Sequence, residues 1–224
     1  MIIIFISDEK QLDITMNFNP SALRNKDPIL NVLKSLFKDD PKKVLMVAEG
    51  SGTHLHFFSQ VFKNWQFHAT DYEEPIVEQM RKNFADQVND QNSNVQPPRV
   101  LNSGQISSWD QNCPEFENST DIIYNCNMVH ISPFATSEGL FYGAGKYLKP
   151  GSGRLVMYGP YAFDGVLEPE SNRNFDQSLK SRDPSWGIRD FRDLNQLAEA
   201  NHLKFEQKFA MPANNHVLVF SRPE

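Results

Sequence analysis

The chain has little cysteine, no long apolar run and no excess of positive charge. Its two cysteines, Cys113 and Cys126, form neither a metal-ligand spacing nor a redox pair, so no disulfide framework and no metal site are expected. A reducing, cytoplasmic setting fits that usage. The leading apolar stretch, Met1 to Ile6, is too short to span a bilayer. It also lacks the basic start and small-residue cleavage site of a signal peptide. Acids outnumber bases, 28 Asp and Glu against 22 Lys and Arg, for a net charge of −6. Neither a nucleic-acid nor a membrane partner is expected, since phosphate neutralisation needs a basic surface. What the chain does have is 39% hydrophobic residues, with 17 Phe among its 224 positions. That suffices for the core of one domain.

Residues 1–19 read as an irregular leader, with Met16 a second candidate start, and residues 20–224 as a single domain. Asp27 as N-cap and Pro28 at the first helical position would open a helix carrying Ile29, Leu30, Leu33, Leu36 and Phe37 on one face. Apolar runs predict strands over 43–48, 65–70, 121–127 and 154–158, with a weak one over 99–102 after a polar loop at 87–98. Between them, Leu55, Phe58, Val61 and Phe62 stripe one helix, Ile76, Met80 and Phe84 a second, and 133–147 form a third. Residues 159–189 are polar and turn-rich, with one short helix from Ser171. An insertion of this length is usually functional, and it is expected to act as a lid. A helix over 191–200 and strands over 204–210 and 216–221 follow. The short polar link between those strands implies a hairpin. The pattern predicts a Rossmann-like α/β fold with a seven-stranded, mostly parallel sheet and a reversed C-terminal strand. A terminal hairpin of this kind resembles the sheet of class I S-adenosylmethionine-dependent methyltransferases.

The first strand breaks into Glu49-Gly50-Ser51-Gly52, and the second ends on Asp71. Strand, glycine turn, helix, strand, carboxylate is how an α/β domain builds a nucleoside site. The glycines admit the backbone to the ligand, and the carboxylate takes ribose hydroxyls. A dinucleotide fingerprint needs a glycine where Leu55 stands, and a P-loop needs a Gly-Lys-Ser/Thr that is absent. The turn resembles methyltransferase motif I, acid-x-Gly-x-Gly-x-Gly, laid on Met46, Ala48, Gly50 and Gly52. Met46 breaks the pattern where a carboxylate steadies the cofactor's amino-acid end, and Glu49 is a nearby substitute. Asp71 is open to two readings, ribose ligand or cap of the next helix. The third strand should end beside the adenine with Asn102, Ser103 and Gly104, a contact carried by backbone.

Further along stand Asp121-Ile-Ile-Tyr-Asn-Cys-Asn127-Met-Val-His130-Ile-Ser-Pro133 and Tyr158-Gly159-Pro160-Tyr161. Ser171-Asn172, Phe175-Asp176, Arg182-Asp183-Pro184, Trp186-Gly187-Ile188-Arg189-Asp190 and Met211-Pro212-Ala213-Asn214-Asn215 follow. With Arg24-Asn25-Lys26-Asp27-Pro28-Ile29, these blocks resemble the methyltransferase-like protein 26 family, from about residue 20 to the C-terminus. The resemblance implies a class I methyltransferase fold and an S-adenosylmethionine site, and it names no substrate. It also implies an acid at Met46, Ser at Glu49 and an acid near Ser103, and this chain departs at all three.

Methyl transfer requires an acceptor aligned with a sulfonium methyl and, where needed, stripped of its proton. In this fold the methyl lies over the end of strand four. Asn127 is expected to touch cofactor or substrate there, and His130 is the candidate general base; the opposing reading of His130 is a loop tie. Tyr158, Tyr161, Asn172 and Arg182 are candidates for the substrate pocket. Arg182, Arg189 and Asp190 equally suit a salt-bridged loop anchor, and Asn214 and Asn215 suit a turn. His54 and His56, two apart on a helix, face different ways and share no metal. Ala48, Glu49, Gly50, Gly52, Asp71 and Asn127 form the expected cofactor site. The expected function is an S-adenosylmethionine-dependent methyltransferase acting on a small molecule or protein side chain. A binding or scaffold protein of the same fold, and more remotely an NAD-linked oxidoreductase, are the alternatives.

Overall fold

The structure, a computed structural model, describes residues 18–224. The leader up to residue 17, with Met16, lies outside the described residues. In chain order the first half comprises α1 (Pro20–Leu36), β1 (Lys42–Val47), α2 (Thr53–Val61), β2 (Trp65–Asp71), α3 (Glu74–Asn83), α4 (Ala85–Asn89), β3 (Val95–Val100) and α5 (Ile106–Asn112). The second half comprises β4 (Ile122–Cys126), α6 (Phe134–Tyr147), β5 (Arg154–Gly159), β6 (Tyr161–Ala162), α7 (Glu170–Arg182), β7 (Arg189–Asp190), α8 (Phe191–Ala200), β8 (Lys204–Met211) and β9 (Asn215–Ser221).

Seven strands form one sheet in the order β3-β2-β1-β4-β5-β9-β8. The first five run parallel, and β9 enters antiparallel between β5 and β8. This is the expected α/β, Rossmann-like sheet, seven-stranded and mostly parallel, with a reversed last strand. Alternation along the strands sorts the core into two layers. Val44, Met46, Phe67, Ala69, Ile122, Tyr124, Val156 and Val219 pack on the face that carries α1, α2 and α3. Leu45, Val47, Ile123, Leu155, Met157, Leu218 and Phe220 pack on the face that carries α5, α6 and α8. Both faces of the inner strands are covered, which is why they read as continuous apolar runs.

Three local expectations are corrected. The first helix starts at Pro20, not Pro28, because Asn19 caps it by accepting from Ser21 N at 2.8 Å and Ala22 N at 3.4 Å. Pro28 sits inside α1, where it leaves one helix hydrogen bond unmade. The third strand begins at Val95 and includes Pro97 and Pro98, expected as loop. It is an edge strand with β2 as its one neighbour, and an edge tolerates residues that cannot donate to a ladder. The short helix expected from Ser171 is a 13-residue helix, α7, that buries Asn172, Asp176 and Leu179 on one side. Beside it, β6 and β7 pair as a separate two-stranded parallel sheet.

Candidate functional site

Parallel strands carry their ligand site beyond their C-terminal ends, where the strand order reverses. Here that point lies between β1 and β4, and a cleft of about 1320 Å³ opens over it. Its lining comes from five separate strand ends and from three elements laid across them: α1, α7 and the β8–β9 turn.

The glycine turn forms one wall. Ala48, Gly50 and Gly52 hold φ of 58°, 66° and 80°, the left-handed region. Gly52 faces inward, where a Cβ would stand 2.5 Å from the Phe84 ring, and it belongs to the packing of α2 rather than to the cleft. Gly50 faces the opposite way: among the described residues no atom beyond its chain neighbours lies within 4 Å of where its Cβ would be, so backbone is presented to open space. Ala48 adopts its φ without glycine's freedom and stores about 1 kcal/mol of strain. Ala48→Gly is expected to raise the melting temperature by roughly 2–4 °C. A fall in thermal denaturation would mean that the methyl contributes more through packing than the backbone loses.

Asp71, only 5% exposed, ends β2 against this turn. Its Oδ2 accepts from Gly50 N at 3.0 Å and its Oδ1 from Glu73 N at 3.2 Å. Asp71 thus braces the turn before α3, and a carboxylate oxygen that accepts one N–H has capacity for a second donor. Burial raises its pKa above the ordinary carboxylate value, against the lowering effect of those N–H groups.

Glu49 takes a different position from a strand-end acid. Its Oε1 accepts from Leu55 N at 2.8 Å, which caps the start of α2 where Gly52 has no side chain to do so. The carboxyl is half-buried, its open part faces the cleft, and withdrawal from water pushes its pKa up to about 8. Nearby Asp71 adds to that rise. Met46 is fully buried in the core layer with Leu55 and Phe58 and does not line the cleft.

Leu101 to Gln105, after β3, line the cleft on the side expected for adenine. Across from them Asn127, with φ of 57°, donates its backbone N–H to Tyr158 O at 2.9 Å. His130 lines the cleft but is 3% exposed, and its Nδ1 is sealed without a partner. Burial, with Arg189 and Arg182 nearby, drives its pKa down to about 4. The imidazole is therefore neutral at ordinary pH and a weak base.

Of the residues expected around the substrate, Tyr158 and Asn172 line the cleft, whereas Tyr161 and Arg182 do not. Tyr161 is buried beneath it with its hydroxyl unpartnered. Arg182 is exposed on α7, bonded to Ser178 O at 3.3 Å and stacked over Trp186. Asn172 ties α7 to its surroundings: its Nδ2 donates to Glu168 O at 3.1 Å and Asn214 O at 3.5 Å. Asn214 returns a bond to Ser171 Oγ, and Asn215 closes its own turn through Pro212 O and Ala213 O.

Arg189 is an anchor, though through carbonyls and not the expected salt bridge. It donates to Val129 O at 2.8 Å, to Ser185 O at 3.1 Å and to Ser132 O. Gly187 N donates to His130 O at 3.0 Å. The 185–189 segment is thus pinned onto the loop that carries His130.

Sequence reasoning missed the contribution of α1. Ser21, Ala22, Arg24, Asn25 and Pro28 all line the cleft. Asn25 Oδ1 lies 2.7 Å from His54 Nε2, and Tyr124 Oη lies 3.3 Å from His54 Nδ1. His54 is thereby part of a buried polar network, and burial lowers its pKa to about 4. His56 points elsewhere, packing against Phe18 and Phe57. Among the described residues no group of His, Cys, Asp or Glu could hold a metal, and no helix is long and apolar enough to cross a membrane.

A family model described as "Protein of unknown function (DUF938)" matches residues 16–222. The chain belongs to the DUF938 family. Solved structures similar to this DUF938 chain are methyltransferase folds. One is a candidate sarcosine dimethylglycine methyltransferase from Galdieria sulphuraria, with TM-score 0.69 and 13% identity over 90% of this chain and 86% of that one. A second is a candidate methyltransferase from Bacillus halodurans, with TM-score 0.65 and 15% identity over 88% of this chain and 100% of that one. A third is the S-adenosylmethionine-dependent methyltransferase SibL, with TM-score 0.67 and 15% identity. The alignment with SibL covers 91% of this DUF938 chain and 56% of that one. At such identities the likeness establishes the fold.

Proposed function

We propose that this chain is an S-adenosylmethionine-dependent methyltransferase acting on a small molecule or an accessible protein side chain in the cytoplasm. The observation that supports it is the open backbone at Gly50 beside Asp71, at the strand-order reversal of a sheet with an antiparallel β9. The space clear of atoms at Gly50 and the spare lone pairs of Asp71 suit a nucleoside: ribose on Asp71, adenine along Leu101 to Gln105. Ala48, Glu49 and Asn127 would flank the rest of the cofactor. At about 1320 Å³ the cleft exceeds the roughly 300–1,000 Å³ that a single ligand takes. The remainder, walled by His130, Tyr158, Phe175 and Trp186, would hold the acceptor. The family blocks quoted above place the chain, on our reading, beside the methyltransferase-like protein 26 family.

When bound, the cofactor supplies an electrophilic methyl group. The chain's own task is to align the acceptor and exclude water, which α7 and the 183–189 segment do by closing over the end of β4. His130 faces the acceptor as a neutral imidazole. A base this weak orients a hydrogen bond and takes a proton in transit, and it stores none. Met46 favours the second reading, a binding protein without turnover, because it removes a carboxylate from the cofactor side.

S-adenosylhomocysteine is expected to bind and to raise the melting temperature, as any ligand of the native state must. No calorimetric binding at millimolar ligand would sink the enzyme reading. Cell extracts incubated with labelled cofactor should show methyl transfer, reduced in His130→Ala by less than the roughly 10²–10⁴ carried by a base whose pKa matches the working pH. Unreduced transfer in that variant would remove His130 from the chemistry.

A further inference from the structure

Two buried polar atoms beneath the acceptor end of the cleft have no partner, His130 Nδ1 and Tyr161 Oη, and they are not bonded to each other. Both converge on Gly159, the last residue of β5. A Cβ built there would stand 3.5 Å from His130 Nδ1 and 3.6 Å from Tyr161 Oη. Among the described residues, nothing beyond the glycine's chain neighbours comes nearer than these. The missing side chain thus leaves a small polar space flanked by both atoms. The imidazole is also held in place. Gly187 N donates to His130 O at 3.0 Å, and Arg189 holds the neighbouring Val129 O at 2.8 Å. The Phe175 ring lies edge-on to the imidazole, with centroids 5.6 Å apart. The charged groups that act on the ring, Arg189 and Arg182, are themselves engaged with carbonyls.

Sealed polar groups of this kind are served by buried water where the space is polar and roomy enough. We propose that one water molecule, seated against Gly159, bridges Tyr161 Oη to His130 Nδ1 and fixes the imidazole as its Nε2–H tautomer. Tyr161 is then the positioning residue of His130. The direction of the bridge follows from the hydrogen count. With the phenol donating to the water and the water to Nδ1, the phenol hydrogen and the ring lone pair are both satisfied. Run the other way, Nδ1–H donates to the water and the water to Oη, and the phenol hydrogen is stranded. Burial keeps that phenol protonated, so its hydrogen is always there to be served. A buried donor left unmade is costly, and the first direction wins.

Because Nδ1 is the sealed nitrogen, Nε2 is the one that meets the cleft. It presents a hydrogen to a chamber walled by Tyr158, Phe175 and Trp186. The substrate group that docks there must offer a lone pair: a carbonyl, carboxylate or ether oxygen, or an unprotonated nitrogen. Of the two tasks open to a neutral imidazole, His130 keeps the orienting hydrogen bond and gives up proton uptake. This use of the donor rests on the acceptor chamber read above; the tautomer itself does not.

Long-range proton–nitrogen spectra of the ligand-free protein, labelled at its six histidines, read the tautomer, and His130→Asn assigns the signal. The parent chain is expected to show a protonated Nε2 and an unprotonated Nδ1 that accepts a hydrogen bond. Gly159→Ala fills the space without a clash, and Tyr161→Phe removes the donor. Each should lower the ratio of the Nε2–H to the Nδ1–H form by at least about fivefold. The double variant should go no further than either single one, because both remove the same bridge. Thermal melting of each variant shows that it is folded. A protonated Nδ1 in the parent chain, or an unchanged ratio in Tyr161→Phe, overturns the role of Tyr161. A ratio that responds to Tyr161→Phe but not to Gly159→Ala, or effects that add in the double variant, overturns the water bridge. S-adenosylhomocysteine binding is read separately by calorimetry, so its failure removes the nucleoside site and leaves the tautomer standing.

Discussion

Asp71→Asn is expected to weaken S-adenosylhomocysteine binding by about 10–150-fold. That is the equivalent of the roughly 1.5–3 kcal/mol carried by a hydrogen bond to a charged group. The substitution preserves shape but exchanges one acceptor oxygen for a donor. An amide NH₂ cannot serve both a ribose hydroxyl and the N–H of Gly50 or Glu73, which the carboxylate accepts at 3.0 and 3.2 Å. Part of the effect therefore passes through the turn, and stability should fall by about 1–2 kcal/mol. Thermal melting of the free protein separates that part from the ligand contact. If affinity is unchanged while stability falls, Asp71 is a brace of the turn and no ligand.

Arg189→Ala should be the most damaging change in the 159–189 insertion. The guanidinium holds the carbonyls of Val129, Ser132 and Ser185, and its loss leaves all three without that donor in a half-buried seam. A cost of about 3 kcal/mol is expected, lowering the melting temperature by roughly 6–12 °C. The seam also carries the Gly187 N–H to His130 O bond, so the loss should propagate to the site. Hydrogen exchange should lose protection at 185–188 and 129–132 before the core strands. Arg189→Lys keeps the charge but not the fork, and should recover part of the stability. Unchanged exchange in Arg189→Ala would mean that the 185–189 segment is held by α7 packing alone.

Much of the fold was legible because its signals are local. Apolar runs, the Lys149-Pro150-Gly151 turn and the 211–215 link each declare an element or its end within a few residues. Where reading failed, a distant partner decided. Pro97 and Pro98 argue against a strand until β3 is found at the sheet edge. Asp27-Pro28 argues for a helix start until Asn19 is found capping the helix about two turns earlier in the chain. At the site, Gly50 and Asp71 were legible from the spacing of two strand ends. Tyr161 and Arg182 were misplaced because residues near a strand end, or on a lid, face the cleft or turn from it according to packing that no spacing records.

By itself, then, the sequence determined the order of strands and helices, the glycine turn opposite Asp71 and the terminal hairpin. Those follow from periodicity and turn chemistry, which act over a few residues. The tertiary structure alone decided that α1 lends Arg24 and Asn25 to the cleft and that Arg189 grips carbonyls. It also decided that His130 is a neutral, sealed imidazole and that Glu49 holds its proton near neutrality. Burial and the charges brought near by folding set those properties, and neither exists until distant segments meet.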